Sequence, residues 1–181
     1  MSFFANRFAG RSAIVTGGAS GLGLRTAMRI VREGGRVSLW DINPTALAEA
    51  SKIVGAQHVA VLDIADPQAV SIAAKTTGES LGKIDILIAS AGITGATCPL
   101  HEFPVENWQR VIDVNLNGLF YCCREIVPLL VRNGYGRIVN VASSLPSDFV
   151  RPITPAFEAE YAEAFGLPSL PATEATLTIR P

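Results

Sequence analysis

A glycine-rich run, Gly17-Gly18-Ala19-Ser20-Gly21-Leu22-Gly23, follows the apolar stretch Ala13-Ile14-Val15-Thr16, and Asp41 closes the next apolar run. Residue types in that order suit a dinucleotide held at the carboxyl ends of parallel strands. Gly17 permits a tight turn after the strand, Gly21 lets the main chain approach a pyrophosphate, and Gly23 lets a helix pack closely on the sheet. The free amides at that helix N-terminus attract negative phosphates, and Ser20 adds a hydroxyl donor. Asp41 can accept both hydroxyls of an adenosine ribose and would repel a 2′-phosphate. The residues after it, Ile42 and Asn43, carry no positive charge. The cofactor expected from these residues is NAD rather than NADP.

The elements that must position this turn alternate along the chain. Apolar runs at 12–16, 36–40, 58–62, 86–89 and 136–142 read as strands. Helical patterns lie between them at 22–33, 45–54 and 66–81, with a long stretch over 105–131 bent at Gly118 and near Pro128. Asn43-Pro44 suits a helix start, and Asp66 before Pro67 is the expected N-cap of the third helix. The run Ile86-Leu87-Ile88-Ala89 is unbroken by polar residues, as in strands buried on both faces. Strands separated by helices make a parallel sheet, so the fold class is α/β, a Rossmann-type doubly wound parallel sheet. The pattern changes after Ser143. Six of the eleven prolines, Pro146, Pro152, Pro155, Pro168, Pro171 and Pro181, fall in the tail. Within it, 154–165 is the clearest helical pattern, and 175–179 can form one short strand. The expected organisation is a dinucleotide-binding core over 1–144 and an atypical proline-rich tail over 145–181 on the same domain, leaving the sheet incomplete or atypical after its fifth strand.

With 181 residues, 49% hydrophobic and 17% charged and a formal net charge of -1, the chain can bury one core but hardly two. The low charge implies apolar surface covered by a partner subunit, as in a homodimer or homotetramer. No basic cluster suggests nucleic acid. Charge interrupts the longest apolar stretches, so no membrane span is expected. The N-terminus lacks a long apolar segment with a cleavage site, and Cys98, Cys122 and Cys123 make no disulfide framework, which together point to a cytoplasmic protein with reduced thiols. His58 and His101 supply no metal-ligand spacing.

These motifs, in this order, resemble the short-chain dehydrogenase/reductase family in its compact type, over residues 8–144. Thr16 to Gly23 is similar to that family's cofactor motif. Asp63-Ile64 resembles the element that touches the adenine ring. Ser90-Ala91-Gly92 matches the strand-four Asn-Ala-Gly motif except that Ser90 replaces asparagine, which removes a sheet-stabilising amide. Asn115, in Asp113-Val114-Asn115-Leu116-Asn117, is similar to a helix asparagine that organises a proton relay. The run 136–143 resembles the strand ending in the active-site serine, which makes Ser143 the group that polarises a substrate carbonyl or alcohol.

The resemblance implies an oxidoreductase moving hydride between NAD and a secondary alcohol or ketone. It also implies a tyrosine and a lysine on one helix face after Ser143, the lysine lowering the phenol pKa and gripping the nicotinamide ribose. At the matching places stand Ala156 and Glu160, and no lysine follows Lys83. Tyr161 has Phe165, not lysine, four residues on, and the neighbouring Glu160 would raise a phenol pKa. Phe149-Val150-Arg151-Pro152 loosely resembles the stretch that follows the family's sixth strand, which would place a gap between Ser144 and Asp148. The alternative function is therefore a non-catalytic dinucleotide-binding remnant or truncated form. The stretch 94–100 is expected to line a substrate pocket without naming the substrate.

Overall fold

The structure is a computed structural model that describes residues 4–142. The expectations for Ser143, for the tail and for the sheet beyond its fifth strand lie outside these residues. Five strands form one parallel sheet: β1 (Ser12–Thr16), β2 (Arg36–Asp41), β3 (His58–Val61), β4 (Ile86–Ala89) and β5 (Arg137–Asn140). Their order is β3-β2-β1-β4-β5. The chain winds outward from β1 to β3, then returns past β1 to begin β4. The order therefore reverses between β1 and β4, where a crevice opens at the strands' carboxyl ends.

Alternation explains the unbroken apolar strands. Ala13, Val15, Val37, Leu39, Ile86 and Ile88 pack on one face with Ala27 and Ile30 of α1 (Gly21–Arg32) and Leu47 and Ala50 of α2 (Pro44–Val54). Ile14, Trp40 and Leu87 pack on the other with Val70 and Ala73 of α3 (Pro67–Leu81) and with Ile126 and Leu130 of α5 (Leu119–Arg132). Successive strand side chains point to opposite faces, so a strand covered on both sides is largely apolar along its length, and the buried polar exceptions such as Ser38 keep hydrogen-bond partners.

Helix ends follow local chemistry. Asn43 Oδ1 accepts from Ala46 N at 3.0 Å, and Asp66 Oδ1 accepts from Gln68 N at 2.8 Å and Ala69 N at 3.2 Å. Pro44 and Pro67 occupy first helical positions, where no donor is lost. The structure extends β2 through Asp41 and starts α1 at Gly21, small shifts from the expected bounds.

The long helical stretch differs from expectation in kind. It comprises α4 (Val105–Ile112), a π-helical segment Asp113–Gly118, and α5. Gly118 serves close packing: a Cβ there would lie 2.8 Å from Ile64 Cγ1. Pro128 lies inside α5, which continues to Arg132. The whole run, Val105–Arg132, is long and apolar enough to cross a membrane by length and composition. Its α5 part flanks the sheet, with Cys122, Ile126 and Leu130 buried against α3 and β4.

A buried polar cluster ties β2, β3 and α3 together. Ser38 Oγ lies 2.8 Å from His58 Nδ1, Thr77 Oγ1 lies 3.2 Å from the same nitrogen, and Trp40 Nε1 donates to both hydroxyl oxygens. Such a cluster holds only while each buried polar atom keeps a partner.

Candidate functional site

The glycine turn sits at the carboxyl end of β1, in the crevice where the strand order reverses. Gly17 has φ +63° and Gly21 has φ +51°, both in the left-handed region that favours glycine. A Cβ on Gly17 would lie 2.9 Å from Ala91 Cα and 3.1 Å from the Ser90 carbonyl carbon, so this turn and the end of β4 touch backbone to backbone. A Cβ on Gly21 would meet nothing within 4 Å, so its left-handed backbone borders open space. Gly23 packs α1 on the turn itself, since a Cβ there would collide with the Gly17 carbonyl. Gly18 also matters, in a packing role that the sequence did not assign to it. Its Cβ would lie 2.9 Å from Val15 O and 3.1 Å from Leu39 Cβ.

Helix α1 differs from α2 and α3 at its start. Ser20 takes the N-cap position in extended backbone, but its side chain makes no capping bond. The first amides of α1 therefore lack the side-chain acceptor that Asn43 and Asp66 supply to the other two helices. Such amides, with the positive end of the helix dipole, favour an anion. Leu22, in this first turn, is 61% exposed.

Asp41 joins the second strand to the turn. Its Oδ2 accepts from Ala19 N and its Oδ1 from Asn43 N, each at 3.0 Å. Each carboxylate oxygen has two acceptor sites, so both keep one for a further donor. The carboxylate is thereby oriented before any ligand arrives.

The end of β4 is tied to β1 by Thr16. Its buried hydroxyl oxygen accepts from both Ser90 N and Ala91 N at 3.1 Å. Main-chain donors thus make this link, without the asparagine amide that Ser90 replaces. Gly92 borders Asn115: a Cβ on it would lie 3.3 Å from Asn115 Oδ1. Asn115, inside the π-helical segment, clasps the Ile93 backbone, accepting from Ile93 N at 2.9 Å and donating to Ile93 O at 2.8 Å. It therefore anchors the start of the stretch 94–100 expected to line a pocket. Single-turn π segments recur at functional sites.

Asp63 lies just beyond β3, next to the end of β2, where Leu62 N donates to Asp41 O at 3.0 Å. Asp63 Oδ1 accepts from Ala65 N at 2.9 Å, and Oδ2 accepts from Arg110 Nη2 at 2.6 Å. Ile64 is buried against Gly118. The fold thus gathers Gly17, Ser20, Gly21, Leu22, Gly23, Asp41, Asp63, Ile64, Ser90, Ala91, Gly92 and Asn115 at the carboxyl edge of the sheet. Ser143 lies outside the described residues. A groove of about 1010 Å³ between α3 and α5, lined by Lys75, Glu79, Arg124 and Glu125 among others, shares none of these residues.

A family model for short chain dehydrogenases matches residues 11–152. The chain belongs to that family. Among curated proteins it is 64% identical over 143 residues to 2-dehydro-3-deoxy-L-rhamnonate dehydrogenase (NAD(+)) from Sphingomonas sp. (strain SKA58), covering 79% of this chain and 57% of that protein. Among solved structures it resembles NAD+-bound xylitol dehydrogenase, with a TM-score of 0.74 at 30% identity over 88% of this chain and 63% of that one. Carveol dehydrogenase from Mycobacterium avium in complex with NAD gives a TM-score of 0.74 at 27% identity, over 96% of this chain and 74% of that one. The chain spans about half the length of the curated relatives it matches. The strand order 3-2-1-4-5 is the Rossmann-like parallel sheet of this family.

Sequence reasoning gave no individual role to Thr16 or Gly18 within the cofactor motif, and did not assign Arg110 to the site at all. Thr16 had a local signal, a hydroxyl at the strand end immediately before the glycine turn. Arg110 had none, because its partner is 47 residues away.

Proposed function

We propose that this chain binds NAD at the carboxyl edge of its sheet and serves an oxidoreductase that interconverts a secondary alcohol and a ketone. The observation that carries the reading is the uncapped start of α1 beside an Asp41 carboxylate whose two oxygens each keep an acceptor site. The residues fit the cofactor. The α1 amides and the Gly21 backbone would hold the pyrophosphate, Asp41 would accept from the adenosine ribose hydroxyls, and Asp63 with Ile64 would border the adenine. Leu22, Ala91 and Gly92 would also contact the cofactor. When bound, the nicotinamide supplies hydride acceptance or donation.

Hydride loss from an alcohol carbon must be matched by proton loss from its oxygen. In this reading Ser143, by resemblance, would polarise that oxygen and a base outside the described residues would take its proton, while Asn115 holds the Ile93 backbone. The 64% identical relative makes 2-dehydro-3-deoxy-L-rhamnonate the first substrate to assay. We also propose that the protein acts as a homodimer or homotetramer. Exposed Leu116, Phe120, Val127 and Val131 along the π segment and α5 support self-association.

A second reading, cofactor binding without turnover, is favoured by Ala156 and Glu160 standing where the family's tyrosine and lysine are expected. That tail would leave the proton without a phenolate to receive it. One experiment separates the two: NADH binding by fluorescence titration, alongside NAD reduction with this substrate. Binding with turnover that Ser143→Ala abolishes supports the oxidoreductase. Binding without turnover supports the second reading, and absence of binding overturns both.

A further inference from the structure

We infer that Arg110 is a positioning residue that tunes the adenine end of the cofactor site through Asp63, an inference that rests on the NAD reading above. Arg110 sits in the last turn of α4, just before the π-helical segment begins, and reaches across to the loop after β3. Its Nη2 donates to Asp63 Oδ2 at 2.6 Å, while Ala65 N holds Oδ1 from the other side. Two donors on two different oxygens fix the plane of the carboxylate as neither alone could. Each oxygen keeps one acceptor site.

The position of this carboxylate gives the pairing its consequence. Asp63 follows β3, and Asp41 ends β2 with Val61 as its register partner. Asp41 and Asp63 therefore stand at neighbouring strand ends, two negative charges beside a site for an anionic pyrophosphate. Arg110 offsets one of them at close range. A fixed carboxylate at the base-binding end also reads chemistry. The exocyclic amine of adenine donates to it, whereas hypoxanthine presents an oxygen at the same place and is repelled.

Arg110 and Asp63 are partly exposed, with side-chain exposures of 44% and 33%. An ion pair in that setting adds little to folding stability because water and salt screen it. The role assigned here is thus orientation of an acceptor, and it predicts a change in base discrimination at nearly constant stability.

The test uses the full chain titrated with NAD+ and with nicotinamide hypoxanthine dinucleotide, monitored by calorimetry. The wild type is expected to prefer NAD+ by about tenfold, the range for a hydrogen bond to a charged acceptor. Arg110→Ala is expected to weaken NAD+ and to bring the ratio close to one, with its thermal midpoint little changed. Asp63→Asn is expected to collapse the same ratio, and Arg110→Met, which keeps the stem, stands in should the alanine variant fail to fold. A wild-type ratio retained in the Arg110 variants overturns the inference, as does an equal loss for both dinucleotides or a wild type that binds both alike. A wild type that binds neither dinucleotide overturns the NAD reading itself and this inference with it.

Discussion

Replacing Gly17 and Gly21 by alanine separates a glycine needed for folding from one needed for the ligand. At Gly17 two penalties combine. The left-handed φ of +63° costs an L-residue about 1–2 kcal/mol. The new Cβ would also lie 2.9 Å from Ala91 Cα, 3.0 Å from Ala91 N and 3.1 Å from Ser90 C, all backbone atoms that cannot rotate away. Relief requires the end of β4 to retreat, which strains the bonds from Ser90 N and Ala91 N to Thr16 Oγ1. Overpacking of this kind adds about 1–3 kcal/mol, so Gly17→Ala should lose roughly 2–5 kcal/mol in all. At Gly21 the φ of +51° carries a similar backbone penalty, but the Cβ would enter open space. Gly21→Ala should therefore lose only about 1–2 kcal/mol of stability, while its methyl intrudes where the pyrophosphate approaches. Urea unfolding measures the first effect, and Gly17→Ala should shift the midpoint by about 1 M or more. NADH titration measures the second. Equal midpoint shifts for the two variants would refute the packing argument. Undiminished NADH affinity in Gly21→Ala would refute the placement of the phosphates.

Other perturbations have equally definite outcomes. Asp41→Asn sets an amide N–H against the amide of Ala19 or Asn43 and removes the charged acceptor, so NADH affinity should fall about tenfold in a fluorescence titration. An unchanged affinity would remove Asp41 from the ribose site. Thr16→Val leaves Ser90 N and Ala91 N without their acceptor and should lose about 1–3 kcal/mol in a urea melt. A loss below about 0.5 kcal/mol, the range of a neutral surface change, would show that the hydroxyl does not hold β4. Acid should destabilise the protein in two stages. Burial lowers the pKa of His58 below its ordinary 6.5, so the unfolded chain takes up that proton first and stability declines as pH falls through 6.5 toward the folded value. At Glu33, burial opposes ionisation, but the Arg29 hydrogen bond, the Phe4 amide and the Arg29 and Arg7 charges prevail and hold its pKa below 4.5. Its contribution is present above 4.5 and is lost as pH falls through the folded pKa. A thermal midpoint that rises between pH 7 and 5 would contradict the His58 assignment. Among the thiols, exposed Cys98 should react at once with a disulfide reagent. Cys122, buried and pushed up to about 12 by burial and the neighbouring Cys123, should react only in denaturant.

Residue type and periodicity alone carry much of this protein. The strand at 86–89 is legible to the residue, because an unbroken apolar run between polar neighbours, Asp85 and Ser90, suits a strand covered on both faces. Asp66 is legible as a cap, since its carboxylate needs only donors two and three residues ahead. The glycine turn and Asp41 also announce a dinucleotide site, because each acts through backbone geometry or charge at a strand end. Each of these signals is carried by residue types that stand close together in the chain, which is why it can be read along it.

Tertiary structure decides the rest, for a common reason: the partners are distant in sequence. Strand order brings β4 beside β1, and only then does the Thr16 hydroxyl meet Ser90 and Ala91. The helical stretch over 105–131 reads as one bent helix, since a π-helical segment differs from an α-helix in hydrogen-bond register and not in apolar period. Asn115 finds its role there by clasping Ile93, and Gly118 finds its role against Ile64. Arg110 has no local signature, and only the fold, which brings the end of α4 within reach of the loop after β3, gives it Asp63. Local sequence thus determined the strands, the caps and the nucleotide turn, while the crossovers that juxtapose distant segments determined how each site residue is held.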